Sequence, residues 1–244
     1  MQQRLMRMKM KTIETYLTRN KWGTKDFRDI KTKLFYSVQE KQKDFHPLLA
    51  STYKDNPIQL IDFFSGAGGT SLGFASVNHV IPAFKMLGGC DINAVSAQTY
   101  SHNYGTPLIN EDIRSLAHDP QKLHELLDRI GYDPKKPTIL IGCAPCQGFS
   151  SHRKKHWNEE EDVRNSLVIA FAEIVEQIMP DAIVMENVPE FLSKRYWHYF
   201  SAAKSRFEKI GYIVKQNIYN AAMFGVPQER FRSIVIAMKK EFLM

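Results

Sequence analysis

The sequence predicts an α/β domain over residues 57–244: a mostly parallel sheet with helices on both faces, closed by an antiparallel pair of strands. Three observations predict it. From Pro57 onward, short branched apolar runs alternate with stretches of helical periodicity. The first of those runs passes directly into a glycine-rich turn, as in open α/β sheets that bind ligands at strand ends. Two stretches carry one apolar stripe each, Leu167-Phe171-Ile174-Ile178 and Trp197-Phe200-Phe207-Ile210, at the spacing of a helix face packed on a core.

Taken in order, residues 1–56 form a basic N-terminal extension in which Arg4, Arg7, Lys9, Lys11, Arg19, Lys21 and further lysines interleave with Trp22, Phe27, Phe35 and Tyr36. It reads either as a nucleic-acid arm or as a solvated lead-in to the domain. The strands expected next are Ile58–Phe64, Ala83–Asp91, Thr138–Cys143 and Ala182–Glu186. Tyr212–Tyr219 and Ser233–Met238 make the antiparallel closing pair. Gly211 sits where a helix ends in a left-handed residue, just before that pair.

The formal net charge of +7 selects an anionic partner, nucleic acid before an acidic membrane surface. The best apolar helical stretch, Leu167 to Met179, is broken by Glu173, Glu176 and Gln177, so no span of about 18 apolar residues exists. Three cysteines without a disulfide framework fit a reducing cytoplasm. A soluble, cytoplasmic protein is expected.

Four constellations can carry chemistry. The turn Phe64-Ser65-Gly66-Ala67-Gly68-Gly69 follows the first strand. Its spacing is not that of pyrophosphate-binding dinucleotide sites, so a nucleoside-type cofactor is favoured over a pyrophosphate-carrying one, with an ordinary strand-to-helix turn as the plainer reading. Asp91, about twenty residues on, stands where an acid bonds ribose hydroxyls, and Asp112, in Glu111-Asp112-Ile113, offers a carboxylate to an amino group. Cys146, after Pro145 at the end of an apolar strand, is placed as a nucleophile; the plainer reading is a buried structural thiol. Glu186 ends the next strand and can serve as a proton donor, or as an ordinary capping or surface acid. Arg230 and Arg232, two apart, are expected to project to one side and suit a phosphate or base carbonyl, unless they are surface salt-bridge partners. Two rivals fare worse. Cys143-Ala144-Pro145-Cys146 imitates a thioredoxin-type pair, which has no use for the glycine turn or Glu186. Cys143, Cys146, His152 and His156 imitate a zinc site with too short a spacer, and no metal is expected.

Together, D-F-F-S-G-A-G-G, Asp91, E-D-I, A-P-C-Q-G-F-S, D-V-R-N-S-L, M-E-N-V and Q-E-R-F-R resemble the ordered motifs of DNA (cytosine-5) methyltransferases from about Asp62 to Met238. The resemblance implies a Rossmann-like S-adenosylmethionine-dependent methyltransferase fold. It implies that Phe64 to Gly69, Asp91, Ile92, Asp112, Ile113 and Leu167 bind S-adenosylmethionine, with Asp91 on the ribose and Asp112 near adenine. By the same resemblance Cys146 attacks cytosine C6, Glu186 bonds and protonates N3, and Arg232 and Arg230 hold the base and its backbone. The target cytosine is flipped from double-stranded DNA, with the loop Ser150 to Asp162 closing over it; some relatives act on transfer RNA instead. Asp91 stands where a glutamate is more usual, and Phe63 where leucine is common. The resemblance also implies a target-recognition region beyond these motifs. A second polypeptide supplying it is therefore expected, with a truncated gene as the alternative.

Overall fold

The computed structural model describes residues 57–78, 83–145, 158–194 and 196–242. The extension 1–56, Cys146 and most of the loop from Ser150 to Asp162 lie outside the described residues. Six strands form one sheet in the order β2-β1-β3-β4-β6-β5. They are β1 (Ile58–Phe63), β2 (Phe84–Cys90), β3 (Thr138–Gly142), β4 (Ala182–Asn187), β5 (Tyr212–Asn220) and β6 (Phe231–Lys239). The first four run parallel, and β6 lies antiparallel to both β4 and β5, which is the closing pair the sequence predicts.

The helices are α1 (Gly69–Val77), α2 (Ala94–Tyr104), α3 (Ile113–His118), α4 (Pro120–Arg129), α5 (Asn158–Ile178) and α6 (Trp197–Lys209). Local chemistry explains where they begin. Asn93 caps α2 by accepting from the Ser96 amide at 3.0 Å, and Asp112 caps α3 through the Arg114 amide. Asp119 accepts from the amides of Gln121 and Lys122 ahead of a proline-led first turn in α4. Gly211, at φ 96°, follows Ile210, the residue that closes α6, as expected.

Neighbouring strand residues face opposite sides, and β1 shows what each side meets. Asp62 points to α1 and α2, accepting from Ser71 Oγ at 2.7 Å; Ser71 Oγ also lies 2.9 Å from Tyr100 Oη. Phe63 points the other way and meets Phe171 of α5 edge to face, centroids 6.2 Å apart. Helices therefore cover both faces of this half of the sheet. Two glycines let them come close: a Cβ on Gly142 would sit 2.5 Å from the Phe171 ring, and one on Gly89 would sit 2.5 Å from Tyr100.

Over β4, β6 and β5 the two faces differ. Ile183, Met185, Val214, Val235 and Ala237 are buried in one core with Phe200 and Phe207 of α6. On the other side Val184, Ile213, Ile234 and Met238 are only half-buried, and Ile236 is 45% exposed. The Phe171-Ile174 stripe is buried as predicted, whereas Trp197 is 42% exposed and Tyr199 takes the buried place in that first turn. At the end of α1, buried Asn78 accepts from the amides of Ala83 and Phe84 (3.0 and 2.8 Å) and donates to the Phe84 carbonyl at 2.6 Å. One side chain thus fixes where β2 starts.

Candidate active site

The carboxyl ends of β1, β2, β3 and β4 share one edge of the sheet, and the order β2-β1-β3 puts the reversal of chain progression between β1 and β3. That is where open α/β sheets bind ligands. The turn after β1 fills one half of the crevice. Its backbone is left-handed at Phe64 (φ 59°), Gly66 (φ 53°) and Gly68 (φ 97°), conformations that only glycine adopts freely. Ser65 donates from its amide to the Cys90 carbonyl at 3.1 Å, tying the turn to β2.

Asp91 holds the turn from outside. Its Oδ2 accepts from the Gly66 amide at 2.9 Å and its Oδ1 from the Asn93 amide at 2.8 Å. Each oxygen keeps a lone pair for another donor. Asn110, which the sequence reading passed over, donates its Nδ2 to the carbonyls of both Asp91 and Ile92 at 2.9 Å. Ile92 is thereby presented to solvent, 67% exposed, as an apolar wall. A Cβ added at Gly66 or Gly69 would meet nothing within 4 Å, so the backbone there faces open space.

Asp112 and Ile113 follow on this side, Ile113 buried and Asp112 engaged by Arg114 in a two-pronged ion pair with Nη2 at 2.6 Å. Those bonds hold the Asp112 carboxyl below its ordinary range. Leu167 of α5 is partly buried against the core.

The other half of the crevice is built by the ends of β3, β4 and β6. Cys143 donates its amide to the Phe63 carbonyl at 3.3 Å, and its Sγ lies 3.3 Å from Thr70 Oγ1 on α1. Burial, with Asp62 nearby, pushes the Cys143 thiol up to about 12. It is a protonated packing group at neutral pH, which separates it from a nucleophile. Ala144 and Pro145 continue toward Cys146. Buried Asn187 holds that segment, donating its Nδ2 to the Ala144 carbonyl at 3.1 Å, while Ser233 Oγ donates to the Asn187 and Val188 carbonyls.

Glu186, one residue before Asn187, turns to the opposite side of β4. There Arg232 Nε of β6 meets its Oε1 at 2.7 Å. Arg230 does not share that position: it precedes β6, is exposed, and binds Asn220 Oδ1 through its amide. Of the two arginines, Arg232 is the one that pairs with Glu186. Asp62 was also missed as a candidate. It is 1% exposed, has one oxygen without a partner and is pushed by burial from 3.8 to about 7. Among the described residues no group of three or more His, Cys, Asp or Glu is placed to hold a metal, and no helix is long and apolar enough to cross a membrane.

The chain is 36% identical over 180 residues to Type II methyltransferase M1.HphI of Haemophilus parahaemolyticus, covering 73% of this chain and 45% of that protein. It is 31% identical over 181 residues to Type II methylase M.HgiDII of Herpetosiphon aurantiacus, covering 74% and 47% respectively. Among solved structures, an E. coli prophage-encoded DNA modification methyltransferase is similar with a TM-score of 0.60 at 26% identity, over 76% of this chain and 47% of that one. The S. pombe Dnmt2 methyltransferase shares the fold, with a TM-score of 0.54 at 21% identity over 75% of this chain and 51% of its own. The chain thus spans about half the length of the relatives it matches. A family profile for C-5 cytosine-specific DNA methylases matches residues 58–244, and the chain belongs to that family.

Proposed function

We propose that this chain carries the catalytic part of a Type II modification enzyme that methylates carbon 5 of a flipped-out cytosine in double-stranded DNA through a covalent Cys146 adduct. The observation that carries the reading is the Glu186–Arg232 pair, 2.7 Å apart, beside the strand end that leads into Cys146. Family membership and the Type II names of its relatives support the substrate and setting.

S-adenosylmethionine, when bound, supplies an electrophilic methyl group. The residues present fit it. The open backbone at Gly66 and Gly69 admits a ligand closely, Asp91 keeps acceptor capacity for ribose hydroxyls, and exposed Ile92 offers an apolar wall to a purine. Phe64, Ser65, Ala67, Gly68, Ile113 and Leu167 complete the expected lining. Asp112 would have to bond adenine while Arg114 holds it.

Cytosine C5 is a poor nucleophile until charge is pushed into the ring. Cys146 Sγ adds to C6, forming the S–C6 bond, while Glu186 bonds N3 and takes up the developing charge by giving a proton there. Arg232 fixes the carboxyl orientation by a charge-assisted bond and leaves its second Glu186 oxygen to the base. C5 then gains the methyl group, its proton leaves to solvent, N3 returns its proton to Glu186, and Cys146 departs as thiolate, which restores the aromatic ring. The solvent-exposed apolar residues Met223, Phe224, Val226 and Phe231, around the β5–β6 connection, support a further docking partner that carries target recognition.

The test is mass spectrometry of the assembly with fluorocytosine-containing duplex DNA and S-adenosylmethionine. A covalent adduct on Cys146 is expected. An adduct on another residue, or methylation of RNA but not DNA, overturns the reading.

A further inference from the structure

The glycine-rich turn does not hold its shape by itself. Phe64 is left-handed at φ 59°, a region that residues with a Cβ adopt only at a cost. Among the described residues no side chain caps the start of α1. The turn is held instead by α2 and the residue just ahead of it, which grip three consecutive positions. Asp91 takes the Gly66 amide at 2.9 Å, Asn103 donates Nδ2 to the Ala67 carbonyl at 3.3 Å, and Tyr104 donates Oη to the Gly68 carbonyl at 2.6 Å. Tyr104 also fits the turn by shape. Its ring lies 4.5 Å, centroid to centroid, from that of buried Tyr100, and a Cβ on Gly68 would run into both rings. Burial pushes the Tyr104 phenol up, so it stays a donor throughout the neutral range.

We propose that Tyr104 is a positioning residue for the cofactor, aiming the Gly69 amide into the crevice where S-adenosylmethionine binds, with Asn103 steadying the peptide before it. The inference rests on the functional reading above. Across a trans peptide the carbonyl and the following N–H point in opposite directions. Drawing the Gly68 carbonyl toward α2 therefore turns the Gly69 N–H away from it. Gly69 is exposed, and a Cβ there would meet nothing within 4 Å, so that amide faces open space. The Gly68 amide, by contrast, is taken by the Ser65 carbonyl at 2.9 Å. The Leu72 amide shares the Gly68 carbonyl at 2.9 Å as the first bond of α1, and Tyr104 adds a second anchor where the helix meets the turn. Without the phenol this peptide can tilt, and binding must then reorder it.

The test compares Tyr104→Phe, which keeps the ring and removes the donor, with Ile183→Val, which loosens the buried core in β4, two strands from β1. Calorimetry on the full chain is expected to give a Kd for S-adenosylmethionine raised about fivefold by Tyr104→Phe, the usual worth of one neutral hydrogen bond, and unchanged by Ile183→Val. In methyl transfer by the assembly, KM for S-adenosylmethionine rises by the same factor while kcat and KM for DNA stay as they were. An equal Kd in the unaltered chain and in Tyr104→Phe overturns the inference and leaves the functional reading standing. Equal weakening by both variants also overturns it, because the turn would then be yielding to a general loss of stability, as does a fall in kcat at unchanged KM. An unaltered chain that binds no S-adenosylmethionine overturns the functional reading itself, and this inference with it.

Discussion

Arg232 Nε and Glu186 Oε1 lie 2.7 Å apart on adjacent antiparallel strands, although forty-six residues separate them in sequence. The contact fixes a carboxyl at the strand-end cleft from one side only, with 31% of the Glu186 side chain still exposed to receive a base. Breaking the pair should disturb chemistry more than folding. Glu186→Gln is expected to lower single-turnover methyl transfer by about 10²-fold or more, the low end for general acid catalysis, with little change in cofactor affinity. Rapid-quench assays check it, and an unchanged rate would remove Glu186 from the mechanism.

Cysteine reactivity should divide sharply. Cys90 and Cys143 are both pushed up to about 12, chiefly by burial, so neither presents a thiolate near neutral pH. Iodoacetamide at pH 8 is expected to spare both until the protein unfolds, and Cys146→Ser is expected to abolish methyl transfer. Peptide mapping after timed alkylation measures the first, and rapid labelling of Cys143 in the folded chain would contradict it.

Asp91→Ala removes the acceptor of the Gly66 and Asn93 amides as well as the expected ribose partner. Binding of S-adenosylmethionine should weaken by about 1.5–3 kcal/mol, the usual worth of bonds to a charged group. Calorimetry gives the difference directly, and NAD should not bind. An unaltered Kd would mean that the ribose sits elsewhere.

Gly142→Ala would place a methyl 2.5 Å from the Phe171 ring in the β3–α5 contact. Such overpacking costs about 1–3 kcal/mol. A lower denaturant midpoint is expected, partly restored by Phe171→Leu in the same chain; a neutral Gly142→Ala would show that α5 yields easily.

Asp62 sets a pH slope. Its carboxyl is raised from 3.8 to about 7 in the fold, so between about pH 4 and 7 the unfolded chain releases a proton that the folded chain keeps. Stability therefore falls as pH rises through that window and levels off above it. Asp62→Asn should flatten the slope; urea melts at pH 4.5 and 8 would reveal a slope left intact.

The strands were legible because each is a branched apolar run, and β1 to β5 begin and end within about a residue of expectation. At β6 the observed start, Phe231, precedes the expected Ser233: Phe231 and Arg232 pair with Asn220 and Tyr219 but are not buried, and hydropathy does not register a ladder bond. Trp197 obeyed the helical spacing but lies in the exposed opening turn of α6. The Asn93 cap and the Asp119-Pro120 start are capping signals that periodicity alone passes over. In the site, motif residues were legible and their partners were not. Arg230 and Arg232 looked equivalent until strand bounds separated them. Asn110, Asn187 and Asp62 act through folded neighbours at least eighteen residues away or through burial, neither of which a linear pattern displays.

Asn78 holds both peptide groups at the head of β2 with its own amide. The strand is thereby fastened from the helix side, by side-chain bonds that do not run along the chain. Foreign sequence inserted between Asn78 and Ala83 should leave β2 aligned on β1 as long as Asn78 is kept.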